Sequence, residues 1–146
     1  MSSPTREQVY TALFNHLTPL LGAGFNSVGR KLRFLEDMKP PEMPALIVAV
    51  GNQKIAPKPG VPPRRTYSAR VFVYAAAPEA SVASGIELNG LIDLVEAALA
   101  PANVLQPLQT LGGVVAHAWV EGTIEIYEAI KTQRAAALIP ITMLVP

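Results

Sequence analysis

The residues best suited to chemistry in this 146-residue chain lie in the run QTLGGVVAHAWVEGTIEI, Gln109 to Ile126. His117 and Glu121 offer an imidazole base and a carboxylic acid, the pair that general acid–base catalysis uses. With a strand period of two, His117, Trp119 and Glu121 share one face, and Val114, Ala116, Ala118 and Val120 share the other. Four residues of extended chain separate base and acid by about 13 Å, with an indole between them, too far for a direct hydrogen bond. The spacing favours an outer or interfacial row in which tryptophan supplies contact area and a single donor. A small hydrolase using His117 and Glu121 is the distant alternative. Glu125 and Glu128, in TIEIYE, read as a solvated strand face.

Other chemistries find less support. A metal centre draws on three or more converging His, Cys, Asp or Glu side chains, and the chain has two histidines and no cysteine. His16 sits among Leu13, Phe14 and Leu17, the setting of a packing histidine. Nucleophile-elbow, Walker and H-E-x-x-H patterns do not occur. LGAGF follows a helical stretch and precedes a strand, the reverse of a phosphate cradle. No cofactor or metal is expected. Lys54, Lys58, Arg64 and Arg65 are too few, and lack the aromatic or groove-reading company, for a nucleic-acid surface. They are expected on a mobile arm that docks on a protein partner.

The elements that must position these residues follow from composition and pattern. Twelve Lys and Arg against 11 Asp and Glu leave no field that demands nucleic acid or an anionic membrane as partner. The N-terminus has no apolar export region and no apolar run spans a bilayer, so a soluble, unexported single domain is expected. Charged residues are 16% of the chain where about 25% is usual, and half of it is hydrophobic. So much apolar content in a small domain points to burial in subunit contacts. Fourteen prolines cluster in MKPPEMP and IAPKPGVPPRR, which read as loops.

Ser3 before Pro4 predicts a helix start, and Val9, Tyr10, Leu13, Leu17 and Leu21 continue it to Gly22 or Gly24. Val28 to Leu35 alternates weakly as a strand. PALIVAVG reads as a strand covered on both faces and ended by Gly51, followed by the loop Asn52 to Arg65. TYSARVFVYAAA alternates as a further strand. Ser84 and Glu87 fit a capping box that opens a second helix, which runs to Pro101. One strand through His117 to Glu121, a turn at YEAIKTQ and the strand AAALIPITMLVP complete the chain. Pro140 must lie at an edge, a bulge or a contact with another chain, because it cannot donate to a ladder. The predicted class is α/β of the α+β type: one domain over 1–146, with a mainly antiparallel or mixed sheet of about five strands and two helices packed on it.

Taken in order, LNGLIDLVEAALAP, QTLGGVVAHAWVEGTIEI and the closing AALIPITMLVP resemble the tail terminator proteins of long-tailed bacteriophages, including the minor tail protein U type. PPEMPALIVAVG and RVFVYAAAP fit the same order, and the resemblance is strongest from Leu88 to Pro146. It implies a non-enzymatic protein of the virion tail, assembled in the bacterial host cytoplasm. Such a protein caps the completed tail tube as a homo-hexameric ring, stops tube polymerisation and presents the surface that joins tail to head. The implied partners are further copies of the chain, the tail tube protein and the head–tail connector, with DNA passing through the lumen unbound and no membrane. A neck or connector component is the nearest rival. A ring needs two different complementary patches per subunit. His117, Trp119, Glu121, Pro140, Ile141 and Met143 are the expected subunit contact, and Lys54, Lys58, Arg64 and Arg65 the expected docking arm.

Overall fold

Helix α1 (Arg6–Leu17) opens at Thr5 rather than Ser3. The Thr5 hydroxyl accepts the Gln8 N–H and Gln8 Oε1 accepts the Thr5 N–H, at 3.2 and 2.8 Å. This reciprocal box satisfies two orphan donors where a Ser3 cap would satisfy one. Val9, Tyr10, Leu13 and Leu17 form its buried face. The helix stops at Leu17, a turn before the expected glycines, and a single 3-10 turn over Thr18–Leu20 carries Pro19. A continued α-helix would press the Pro19 ring against the carbonyl of Asn15. The structure, a computed structural model, describes residues 3–77, 83–101, 105–129 and 132–146.

Strand β1 is only Ser27–Gly29, not Val28 to Leu35, and pairs parallel with β2 (Ala45–Lys58). The intervening chain makes 3-10 turns at Leu35–Asp37 and Pro40–Glu42. They lay Leu35, Met38 and Met43 on Ala45, Ile47 and Tyr74 as a second, small hydrophobic cluster.

The largest departure from expectation is the segment Asn52–Arg65. Gly51 does not end β2, and the proline-rich run is no loop: β2 and β3 (Val61–Ala76) form one long antiparallel hairpin that turns at Gly60, φ 78°. Prolines are compatible with this ladder because, among the described residues, β2 is uncovered along Asn52–Lys58 and β3 has no partner beyond Arg65 on its other side. The ladder shifts register between Val50 and Gln53 and between Ala56 and Lys58. A bulge adds a residue to one strand and turns subsequent side chains to the other face.

Strand β6 (Arg134–Val145) runs antiparallel to β3 in unbroken register from Arg134↔Ala76 to Val145↔Arg65. On its other side it pairs first with β4 (His117–Val120) and then with β5 (Glu125–Glu128). The single strand predicted through this region is therefore two, broken at Gly122, φ 108°. Pro140 explains the break. Its carbonyl accepts the Glu121 N–H, so the ring nitrogen of the same residue, which has no hydrogen to donate, faces the gap between β4 and β5.

Helix α2 (Ser84–Leu99) lacks the expected Ser84–Glu87 capping box: Ala83 takes the cap position and Ser84 is already helical and buried. Leu88, Leu91, Ile92, Val95 and Leu99 face inward. His16 Nε2 donates to the Ala98 carbonyl at 2.6 Å and ties α1 to the end of α2, a packing role as expected. The result is a single α+β domain whose mixed sheet has the order β1-β2-β3-β6-β4, with β5 also on β6. Both helices cover one face, where Leu46, Val48, Val71, Val73, Ile139, Ile141 and Met143 form the core.

Candidate assembly surface

Because side chains alternate, everything not packed on the helices is offered on the sheet's opposite, outer face. The Leu35–Met43 segment covers one end of that face. Arg33 clamps this cover: its guanidinium donates to both Glu42 carboxylate oxygens at 2.8 and 3.1 Å, and its carbonyl accepts the Tyr74 hydroxyl. The Arg33 hydrogen bonds hold the Glu42 carboxyl below the usual range, and burial pushes the Tyr74 hydroxyl up. Arg134 Nη1 donates to the Leu35 carbonyl from the sheet side.

The rest of the outer face is open. It presents Phe72, Leu138, Pro140, Thr142 and Leu144 on β3 and β6, flanked by the β4 row. His117 and Trp119 lie there as predicted, opposite Leu144 and Thr142, with Ala118 buried between them. Their rings stack with centroids 4.9 Å apart and planes 18° from parallel. His117 Nδ1 accepts the Gln109 N–H at 3.0 Å, so the neutral ring carries its hydrogen on Nε2. Glu121 is engaged separately, accepting the Thr142 hydroxyl at 3.1 Å. A relay would need base and acid to converge on one reacting atom; here each is committed to a neighbour, and both stand on an open face. A cleft of about 880 Å³ lies elsewhere, between α1 and Gly113–Val114.

Two expected contact residues are corrected. Ile141 and Met143 are fully buried on the helix face, opposite Ala69 and Tyr67 of β3. With Pro140 outward, a period of two sends both inward, and the outer face takes Pro140, Thr142 and Leu144 instead.

The basic residues are not a loop cluster but the sides of the hairpin. Gln53 is paired with Tyr67 and reaches α1, so it marks the helix face. By alternation along β2, Lys54, Ala56 and Lys58 then face outward and Ile55 toward the helix side; Arg64 pairs with Ala56 and Arg65 with Ile55. Lys54, Lys58, Arg64 and Arg70 therefore lie along the outer face near one edge of the sheet, while Glu121 and Glu125 lie near the other.

A polar brace at the root of the hairpin had no counterpart in the sequence reading. The Tyr10 hydroxyl donates to the Ser68 carbonyl at 2.8 Å, Gln53 Nε2 donates to Tyr10 at 3.4 Å, and Arg6 Nε donates to Gln53 Oε1 at 2.6 Å. Tyr10 also stacks on Tyr67, and burial raises its hydroxyl pKa. These partners are 43 to 58 residues apart, so only the register joins them.

Comparison with known proteins gives a likeness of fold. No protein-family model matches the chain, and no curated protein matches it in sequence. Among solved structures, a chain from the virion of a native gene transfer agent particle superposes with a TM-score of 0.54, covering 94% of this chain and 93% of its own length at 14% identity. A second solved structure superposes with a TM-score of 0.53 over 97% of this chain and 96% of its own at 16% identity. Both span nearly the whole domain, so the arrangement of helices and sheet is shared as a unit.

Proposed function

We propose that the chain is a structural subunit of a phage-like particle, and within it the tail terminator: a self-assembling ring that caps the finished tail tube and forms the surface for head joining. The observation that carries this reading is the likeness over 94% of the chain to a component of a gene transfer agent virion. The ordered sequence features that resemble the tail terminators point the same way. So does an outer sheet face with Trp119, Phe72, Leu138 and Leu144 left half-buried in a chain poor in charge. In this role the chain acts through its surfaces, His117 and Glu121 serve as contact residues, and no cofactor takes part. Its partners are its own copies, the tail tube protein and the connector above it, and DNA passes through the ring without specific contacts.

The test is the native mass of the purified protein over a wide concentration range, with negative-stain images of the same samples. A ring near six times 15.6 kDa that also caps growing tail tubes is the expected result. A monomer at every concentration that fails to stop tube growth overturns the reading. A ring that binds the head side of the particle but not bare tubes identifies a neck component instead. Trp119→Ala, checked for unchanged folding, weakens the oligomer if the outer face takes part in the contact.

A further inference from the structure

The sheet ends in two unlike free edges. On one side β1 covers only Ala45–Ile47 of β2. Beyond it Arg70 and Ser68 side chains occupy the Val50 and Asn52 carbonyls, which leaves Gln53–Ala56 as an exposed edge on the hairpin, ended by Pro57, which has no N–H to donate. On the other side β4 is protected, because the Ala118 N–H donates outward to the Gln109 carbonyl. Among the described residues β5 has no such cover. The Ala129 N–H bonds the Arg134 carbonyl of β6, so by antiparallel alternation Glu125 and Tyr127 also face β6, and Ile126 and Glu128 turn their N–H and C=O groups away from it.

The side chains on the two edges are complementary. Lys54 and Lys58 stand exposed on the outer face of the first edge, with Arg64 beside them. Glu125 stands exposed on the outer face of the second, with Glu121 beside it. None of these five makes an ion pair among the described residues, where the ion pairs are Arg30–Glu7 and Arg33–Glu42. On the helix-facing side the pattern is apolar at both edges: Ile55 is 44% exposed and Ile126 is 55% exposed. Uncovered strand edges of this kind are templates for pairing with another chain.

We propose that the β2 edge of one copy pairs with the β5 edge of the next, so that the sheet continues from subunit to subunit. This rests on the self-assembly reading above and specifies its contact. With the two strands antiparallel and Ile55 opposite Ile126 on the helix-facing side, Ala56 falls opposite Glu125 on the outer face, which places Lys54 and Lys58 diagonally on either side of that carboxylate and Lys58 on the side nearer Glu121. The contact is head to tail, as a closed ring requires. Only four residues of β5 are available, so the hydrogen bonds alone are few and the charge pairs govern both affinity and register.

The experiment measures the concentration at which half the protein is oligomeric for the native chain, for K54E/K58E, for E121K/E125K and for the chain carrying all four changes. All four sites are exposed, and circular dichroism confirms folding of each variant. Each double variant is expected to raise the midpoint at least about tenfold, and the fourfold variant to return most of the way to the native value, because reversing both sides restores opposite charges. Double variants that assemble like the native chain, or a fourfold variant no better than the doubles, overturn the edge contact while leaving the ring reading intact. A native chain that neither assembles in solution nor caps tail tubes overturns the ring reading, and the contact with it.

Discussion

Gly51 provides a sharp test of the β2 bulge, on which the facing of the basic residues depends. A Cβ added there would lie 2.5 Å from Ser68 Oγ, 2.8 Å from the Ser68 carbonyl oxygen and 2.9 Å from its carbon. The hydroxyl can rotate only by giving up its 2.7 Å bond to the Asn52 carbonyl, and the backbone atoms move only if the β2–β3 ladder opens. Overpacking of this kind costs about 1–3 kcal/mol. At roughly 2–4 °C per kcal/mol for a domain of this size, Gly51→Ala should lower Tm by about 2–12 °C. Gly90 supplies the control: it is exposed within α2, and a Cβ there meets nothing within 4 Å. The same substitution at Gly90 should raise stability by about 0.5–1 kcal/mol, through helix propensity and a less flexible unfolded chain. Both are read by urea unfolding at protein concentrations where assembly does not contribute. Gly51→Ala as stable as the native chain would show that the two strands do not approach closely at the bulge and would remove the basis for placing Lys54 and Lys58 outward.

Ile141→Ala and Met143→Ala should each cost about 2–5 kcal/mol in urea unfolding of the monomer, since both side chains are fully buried; a loss confined to oligomer formation would put them back at the interface. Tyr10→Phe leaves the Ser68 carbonyl and Gln53 without their hydroxyl partner and should cost about 1–2 kcal/mol, with amide exchange rising first at the root of the hairpin. The Glu42 carboxyl is depressed by Arg33, so its contribution is present above the ordinary carboxylate pKa and lost as pH falls through the folded-state value. Tm measured against pH should therefore fall less steeply on the acid side for Glu42→Gln than for the native chain, and parallel profiles would refute the pairing. Assembly through the edge charges should weaken with added salt, which native mass measurements at low and high ionic strength would detect.

The sequence by itself determined the helices, the alternating strands and the class of the domain, because these depend on periodicities carried locally by residues such as Leu88, Leu91, Ile92 and Val95 or Tyr67, Ala69, Val71 and Val73. It also placed His117 and Trp119 correctly on one face, since two residues of strand suffice to decide that. Tertiary structure decided what depends on partners distant in the chain. Pairing with β3 and the uncovered edge turned the proline-rich Asn52–Arg65 segment from an expected loop into a ladder. The bulge after Val50 reversed which of its side chains face outward, and a single shift of that kind moves a whole row from one face to the other. The same parity rule sent Ile141 and Met143 inward once Pro140 faced out. Which edges stay unpaired follows only from the order of strands in space, because a free edge is defined by neighbours that the other strands do not supply.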